Sequence, residues 1–297
     1  MSIDLSKFQG TTVALITPFK KDNSVDETAL RKLVDWHIEK GTSVILGCGT
    51  TGESATLSHE EHNRVIEILC DQADGRVPVM ANAGSNSTAE AISLTEHATK
   101  SGADAILSVG PYYNKPTPEG FFQHFRAVAE CTHLPVFLYN VPGRTGKHID
   151  ARTQLRLAEI PNIAGTKEAS ANFNEVMTIL RERPDDFLVL SGEDSITLPL
   201  LSLGADGAVA VVANEAPGML SQMVRAAFDN NWEKARELHY KLLPLMRLNF
   251  IESNPIPVKA ACAMMGLCEP YVRLPLVQLS DEHVKPLAAA LNELDLI

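Results

Sequence analysis

The sequence predicts an α/β protein, a (β/α)8 TIM barrel followed by a C-terminal helical extension. Two observations lead to this fold class. Short apolar runs alternate with longer segments of helical spacing, and eight such runs begin 19 to 35 residues apart. The runs are apolar throughout, which is typical of parallel strands that are covered on both faces.

The eight predicted strands occupy the first four-fifths of the chain. They begin near Thr12, Ser43, Pro78, Ala105, Pro135, Ile163, Leu188 and Gly207. No strand pattern remains from about residue 233, so we predict a barrel over residues 1–232. Residues 233–297 are predicted to form a helical region that packs on this barrel, because stretch 235–266 and the segment after Ser280 both have helical spacing.

The segments between the strands carry signals for the start and end of helices. Three of them begin with a capping box, in which a serine precedes a glutamate by three positions: Ser24 with Glu27, Ser58 with Glu61, and Ser87 with Glu90. Gly41 and Gly102 follow helical segments, where glycine adopts a left-handed C-cap at little cost. These signals predict helices in the chain segments that connect the strands.

Charge and composition exclude several classes of function. Lys and Arg number 26 and Asp and Glu 37, so the net charge is −11. This balance lacks the basic surface of a nucleic-acid or anionic-membrane binder. No apolar run approaches the roughly 18 residues of a membrane span. An anionic substrate would therefore have to be bound by a few local cations.

The cysteines indicate the compartment. Five are scattered along the chain, without a C-x-x-C pair or a Cys/His cluster of metal-ligand spacing. The N-terminus MSIDLSKFQG has no secretory pattern. We therefore expect reduced thiols, no metal and a cytoplasmic location.

One motif favours a different function. Residues Gly47 to Gly52 satisfy G-x-G-x-x-G after a predicted strand, as in a nicotinamide-dependent oxidoreductase. In that fingerprint the last glycine lies at the start of the helix, whereas the next helix here is predicted to begin at the Ser58 cap. The following strand also ends in Asn82 and Ala83, without the acidic residue that would bind a ribose. The oxidoreductase therefore remains a remote alternative.

In a barrel of this kind, chemistry occurs where the strands end at the C-terminal face. Lys167 lies in the sixth strand, where burial would favour its neutral, nucleophilic amine. Such an amine attacks carbonyl compounds to form a Schiff base. Two alternatives give Lys167 no catalytic role: an ion pair with Glu168, or a side chain that extends past the strand end into solvent.

Other polar residues fall at the same face. Tyr139, in the fifth strand, could exchange protons with an amine next to it. Thr50 and Thr51 offer hydroxyl groups after the second strand, and Arg144 could bind a carboxylate with two parallel hydrogen bonds. Taken singly, Tyr139 fits ordinary packing, the two threonines fit a turn, and Arg144 fits a solvated loop arginine. Their joint occurrence at one barrel face favours an active site.

Five segments along the chain resemble one family, the pyruvate-dependent class I aldolases and lyases typified by bacterial dihydrodipicolinate synthase. These segments are GTTGESATLSHEEH, PYYNKPTPEG, YNVPGRT, GTKEAS and ESNPIPVK. The resemblance covers nearly the whole chain. It implies a barrel with C-terminal helices, assembled as a homotetramer, and an imine that needs no metal or organic cofactor.

The resemblance also implies residue roles. Lys167 corresponds to the lysine that forms the imine with pyruvate, and Tyr139 to the catalytic proton donor and acceptor. Thr50 and Tyr113 complete the proton relay, with the tyrosine reaching in from a neighbouring subunit. The remaining positions correspond to substrate-binding residues: Thr51 and Val209 for pyruvate, and Arg144 for the carboxylate of the aldehyde. Gly192, at the end of the seventh strand, is a further candidate for substrate binding.

Within the family, three features favour the synthase that joins pyruvate to L-aspartate 4-semialdehyde on the diaminopimelate route to lysine. Thr50 and Thr51 form its usual pair, whereas sialic-acid lyases tend to have serines there. Tyr113 completes a relay that sugar-acid aldolases often lack, and Arg144 suits a short semialdehyde. The alternatives are N-acetylneuraminate lyase, a 2-oxo sugar-acid aldolase and, more remotely, a binding protein.

The resemblance extends to a regulatory cleft that binds L-lysine in feedback-inhibited members. Its residues here are Ser54, Ala55, His59, His62, Asn86, Glu90 and Tyr112. Alternatively, Glu90 merely completes a capping box and the histidines line a solvated helix start. Lys259, in the last segment, is expected to be a solvated or helix-capping charge.

Overall fold

The computed structural model describes residues 4–297 and has a closed barrel of eight parallel strands in sequence order. β8 pairs with β1 and closes the barrel. The strands are β1 Gly10–Ala14, β2 Val44–Gly47, β3 Val79–Asn82, β4 Ala105–Val109, β5 Val136–Asn140, β6 Ile163–Glu168, β7 Leu188–Ser191 and β8 Gly207–Ala210. The predicted fold class is confirmed.

Helices follow the strands and continue beyond the barrel. They are α1 Glu27–Glu39, α2 His59–Ala73, α3 Thr88–Lys100, α4 Pro118–Glu130, α5 Pro142–Thr145, α6 Ala151–Leu157, α7 Phe173–Glu182, α8 Thr197–Ser202, α9 Pro217–Phe228, α10 Trp232–Leu248, α11 Ile256–Met264 and α12 Asp281–Glu293. None of the helices within residues 4–297 is long and apolar enough to cross a membrane.

All eight strands lie where the apolar runs predict them, although the first is shorter than its run. The run continues to Phe19, but β1 ends at Ala14. Beyond that point the N–H of Ile16 donates to Oδ1 of Asn214 at 3.0 Å, instead of to a neighbouring strand. An apolar run that is buried after leaving the sheet looks the same in sequence as a longer strand.

Of the three predicted capping boxes, one forms completely. Ser58 and Glu61 make both reciprocal hydrogen bonds at the start of α2. The box at Ser24 is wrong, because the N-cap of α1 lies two residues later, at Asp26, whose side chain accepts from the N–H of Ala29. The Ser24 hydroxyl instead donates to Asp22.

The Ser87 box is half formed. The Ser87 hydroxyl accepts from the N–H of Glu90 at 3.5 Å, as a capping residue should. The Glu90 carboxylate, however, turns away to His59 and Ser85. This carboxylate is therefore available to a cleft between α2 and α3.

The C-terminal region contains three helices, α10, α11 and α12. The stretch 235–266, predicted to be helical, consists of parts of two helices with a break between them: α10 ends at Leu248 and α11 begins at Ile256. Pro255 lies in the break, where it lacks an N–H for a continuing helix. α12 confirms the helix after Ser280, and the division of the chain at residue 232 stays a prediction.

An apolar core fills the barrel and closes its lower end. Phe137, Leu188 and Val209 lie in one buried cluster inside the strands. Phe8, which precedes β1, packs edge-on against Phe137 with 5.5 Å between the ring centroids. Apolar side chains thus close the end of the barrel at which the strands begin.

Candidate active site

Lys167 and Tyr139 meet inside the barrel near its C-terminal face. They are register partners on β6 and β5, so their side chains project from adjacent strands in the same direction. The Lys167 Nζ lies 4.2 Å from the centroid of the Tyr139 ring, within the distance of a cation–π contact. Both residues are buried, at 6% exposure each.

The neighbouring carboxylate does not pair with this lysine. Glu168 projects to the other side of β6, where its Oε2 accepts from Asn140 at 2.8 Å and from Gln154 at 3.2 Å. Its Oε1 accepts from the N–H of Ser170. The alternatives of a Lys167–Glu168 ion pair and of a lysine leaning into solvent are both wrong, because alternate residues of a strand face opposite sides.

Gly192 makes room for the lysine. A Cβ atom at Gly192 would lie 2.9 Å from Cγ and 3.1 Å from Cε of Lys167, closer than side-chain atoms pack. The residue follows β7, and its N–H donates to the carbonyl of Glu168 at 2.8 Å. Val209 lies on β8 with its side chain in the barrel interior. Gly192 therefore borders the Lys167 side chain, and Val209 lies in the same barrel interior as Tyr139.

Thr50 and Thr51 lie in a tight turn after β2, and we call residues 49–53 the threonine turn. Cys48, just before the turn, and Glu53, its last residue, have φ values of +54° and +55°. α2 starts only at His59, after a short 3-10 helix at Ser54–Thr56. Gly52 thus lies outside the helix, which argues against the dinucleotide fingerprint.

Two residues of the C-terminal region contact this turn. Nδ2 of Asn254 donates to Oγ1 of Thr51 at 3.0 Å. Lys259 forms a buried ion pair with Glu53, and both side chains are at most 1% exposed. The expectation that Lys259 is solvated is wrong, because α11 inserts it between the turn and the ring of Phe19, 4.0 Å from its centroid.

A cavity of about 440 Å³ opens at the C-terminal face. It is lined by Thr50, Tyr139 and Arg144, three of the predicted active-site residues. Arg144 is exposed on the short helix α5. The same cavity continues between α2 and α3 along predicted cleft residues, namely Ser54, Ala55, His59, His62, Glu90 and Tyr112. The seventh, Asn86, lies in the loop before α3, where its carbonyl accepts from Asn114.

Glu90 is the charged centre of this cleft. Its carboxylate accepts from the Ser85 hydroxyl and lies 2.6 Å from Nε2 of His59. The Ser85 hydroxyl and, to a lesser degree, His59 lower the pKa of the Glu90 carboxyl. Burial lowers the pKa of His62, whose Nε2 bonds the carbonyl of Asn82 at 2.8 Å. The cleft therefore presents the Glu90 carboxylate next to the imidazole of His59.

Two tyrosines follow β4 and are exposed. Tyr112 lines the cavity at 40% exposure, whereas Tyr113 is 89% exposed and has a φ of +70°. The phenol of Tyr113 is thus not brought to Lys167 within this chain. An aromatic side chain so exposed is available to a second copy of the protein.

Sequence reasoning missed two groups that support the site. The buried Asp194 accepts from the N–H groups of Val211 and Val212 at 3.0 and 2.7 Å, and so holds the segment after β8. Burial raises the pKa of its carboxyl to about 6. Asn254 is the other, although its segment ESNPIPVK is one of the five that resemble the family. No local pattern indicates either contact.

The chain matches known proteins over almost its full length. Residues 7–294 match the model of the dihydrodipicolinate synthetase family. A curated relative, the 4-hydroxy-tetrahydrodipicolinate synthase of Chlorobium phaeobacteroides (strain DSM 266 / SMG 266 / 2430), is 52% identical over 289 residues. The alignment covers 97% of this chain and 98% of that relative.

Two solved structures are similar over nearly their full length. The chloride-inhibited dihydrodipicolinate synthase of Acinetobacter baumannii, complexed with pyruvate, is 47% identical with a TM-score of 0.95 and covers 97% of this chain and 99% of its own. The dihydrodipicolinate synthase of Cyanidioschyzon merolae with lysine bound is 39% identical with a TM-score of 0.95, covering 98% and 99%.

Proposed function

Because this chain belongs to the dihydrodipicolinate synthetase family, we propose that it condenses pyruvate with L-aspartate 4-semialdehyde through an imine on Lys167. The product is 4-hydroxy-tetrahydrodipicolinate, on the diaminopimelate route to lysine. The protein is a lyase of the Schiff-base-forming class. One observation carries the proposal: a buried lysine amine faces a tyrosine ring, not a carboxylate, inside the mouth of the barrel.

The first half of the reaction needs an amine, a proton carrier and a carboxylate site. Lys167 Nζ attacks C2 of pyruvate, the carbinolamine loses water, and the imine forms. Tyr139, on the adjacent strand, donates and accepts the protons of these steps. Thr51 and the backbone near Val209 bind the pyruvate carboxylate, while Gly192 leaves space beside the lysine stem.

The second half forms the carbon–carbon bond. Loss of a proton from C3 gives the enamine, whose C3 attacks the aldehyde carbon of the semialdehyde. The amino group of the semialdehyde then adds to C2, closes the ring and releases Lys167. Arg144, exposed at the cavity, binds the second carboxylate and supplies the local cation that a chain of net charge −11 requires.

Thr50 and Tyr113 complete the proposed proton relay with Tyr139. Thr50 lines the cavity together with Tyr139. Tyr113 is almost fully exposed, so in this proposal it serves the active site of a second copy. We therefore propose a homotetramer, in which pairs of subunits exchange this tyrosine.

A panel of aldehydes tests the substrate assignment. With pyruvate present, L-aspartate 4-semialdehyde should be consumed and the cyclic product detected by mass spectrometry. N-acetylmannosamine and short sugar aldehydes should give turnover at least about a hundredfold slower, because they lack the carboxylate for Arg144. Faster turnover of a sugar aldehyde would assign the enzyme to a sialic-acid or sugar-acid branch instead.

Arg144→Ala should reduce kcat/KM for the semialdehyde by about ten- to a hundredfold. A charge-assisted hydrogen bond is worth on the order of 1.5–3 kcal/mol. Imine formation with pyruvate, measured by borohydride trapping, should be nearly unchanged. Arg152→Ala removes an exposed arginine outside the cavity and is the matched control. Loss of trapping in Arg144→Ala would assign this residue to pyruvate or to the fold.

We also propose that L-lysine inhibits the enzyme from the cleft around Glu90. The Glu90 carboxylate pairs with the α-ammonium of lysine, and His59 and Asn86 bind its other polar ends. The cleft adjoins the active site, since Tyr112 and Tyr139 line one cavity. Tyr112 also precedes the relay residue Tyr113, so a bound ligand can disturb the relay.

Lysine titrated into the assay should inhibit turnover in a way that excess semialdehyde does not relieve. Glu90→Ala should abolish this inhibition and keep the basal rate, because an ammonium group loses its only carboxylate partner in the cleft. Glu96→Ala, at an exposed position on the same helix, should leave inhibition intact. A wild-type protein indifferent to millimolar lysine, or equal effects of both variants, would contradict this regulatory site.

A further inference from the structure

The threonine turn is bound to the C-terminal region by a hydrogen bond that the imine mechanism does not use. We propose that Asn254 is a positioning residue, which directs the hydroxyl hydrogen of Thr51 toward the carboxylate of the 2-oxo acid. The inference rests on the proposed function, since it assumes that Thr51 binds this carboxylate.

The direction of the hydrogen bond decides what Thr51 offers to a ligand. An amide nitrogen has hydrogens to donate and does not accept. With Nδ2 of Asn254 3.0 Å from Oγ1 of Thr51, the hydroxyl oxygen is the acceptor and its own hydrogen is left free. A carboxylate only accepts hydrogen bonds, so a hydroxyl held in this state is a ready donor to it.

A second contact keeps Asn254 and Thr51 in alignment. Lys259, on α11 just after Asn254, forms its buried ion pair with Glu53 at the end of the threonine turn. The other oxygen of Glu53 accepts from the N–H of Arg273 at 3.0 Å. The turn is therefore tied at two points to residues more than 200 positions away in sequence. Asn254 has little freedom to move relative to Thr51.

The chemistry of Asn254 argues against a packing role. The residue is 5% exposed, and within residues 4–297 its Oδ1 is buried without a hydrogen-bond partner. A buried amide with one unsatisfied atom is less stable than an apolar side chain of the same shape. A residue needed for shape alone would be better served by leucine. The bond to Thr51 is the interaction that requires an amide.

Asn254→Asp tests the proposal, because it keeps the shape and removes the donor. The introduced carboxylate would draw the Thr51 hydrogen to itself and add a negative charge near the substrate carboxylate. We expect KM for pyruvate, and the pyruvate concentration that half-saturates borohydride trapping, to rise about 10- to 100-fold. KM for the semialdehyde should change less than about threefold, and kcat at saturating pyruvate less than about tenfold.

Two further variants separate positioning from folding and charge. Asn231→Asp adds the same charge at the N-cap of α10, where aspartate caps as well as asparagine, and pyruvate KM should not change. If Asn254→Asp does not accumulate as folded protein, Asn254→Ala replaces it, with an expected rise of about fivefold in pyruvate KM alone.

The outcomes distinguish this inference from the proposed function. If the wild-type protein is not labelled by pyruvate and borohydride, the proposed function fails. If it is labelled and the Asn254 variants retain the wild-type dependence on pyruvate, only the role of Asn254 is overturned. Parallel changes in both KM values, or a loss of kcat alone, would also overturn it, since they indicate a general distortion of the site.

Discussion

Borohydride added together with pyruvate is expected to leave one reduced covalent adduct, which peptide mass spectrometry locates at Lys167. Hydride adds to the imine carbon and converts the imine into a stable secondary amine. The amine of Lys167 lies inside the barrel beside Tyr139, and the adjacent Glu168 is engaged by Asn140 and Gln154. No competing ion pair with that carboxylate therefore has to break before Lys167 attacks.

Lys167→Ala should remove both the adduct and the activity. Loss of the group that forms the covalent intermediate is expected to lower kcat by at least about a thousandfold. Lys147→Ala, at an exposed lysine two residues after Thr145 of the cavity lining, is the control and should keep labelling and turnover. A label on another lysine, or labelling that does not depend on pyruvate, would rule out the imine mechanism.

The second large effect concerns stability. Lys259→Met should lower the free energy of unfolding by about 3–5 kcal/mol, because it leaves Glu53 as an uncompensated buried charge. Burial lowers the pKa of the Lys259 ammonium even though Glu53 opposes this shift. Urea unfolding followed by circular dichroism measures the change, with an unchanged m value as the sign that the folded state is otherwise intact.

A double variant distinguishes the effect of the unpaired Glu53 carboxylate from the effect of lost packing around residue 259. Lys259→Met combined with Glu53→Gln should recover much of the lost stability, since a neutral amide still accepts from the N–H of Arg273. Lys234→Met breaks the exposed ion pair with Glu237 and should cost less than about 1 kcal/mol. If Lys259→Met lowered the free energy of unfolding no more than Lys234→Met does, the buried pair would not stabilise the fold.

Local sequence patterns determine much of this protein. Apolar runs locate all eight strands, because a strand covered on both faces must be apolar along its length. Parallel connectivity then brings the strand ends to one face. Lys167 and Tyr139 are therefore predictable as neighbours from their positions in consecutive strands, before any side-chain contact is known.

Some contacts are decided by tertiary structure alone. From the sequence, Asn254 is an ordinary polar residue and Lys259 a solvated charge. In the structure both contact the threonine turn, which lies more than 200 residues earlier in the chain. Glu90 reads as part of a capping box but bonds to His59 on another helix. Hydrophobic periodicity and capping depend on residues within a few positions of one another. The partner of a buried polar group instead depends on how distant elements pack, because the group must be satisfied by whichever donor or acceptor lies there.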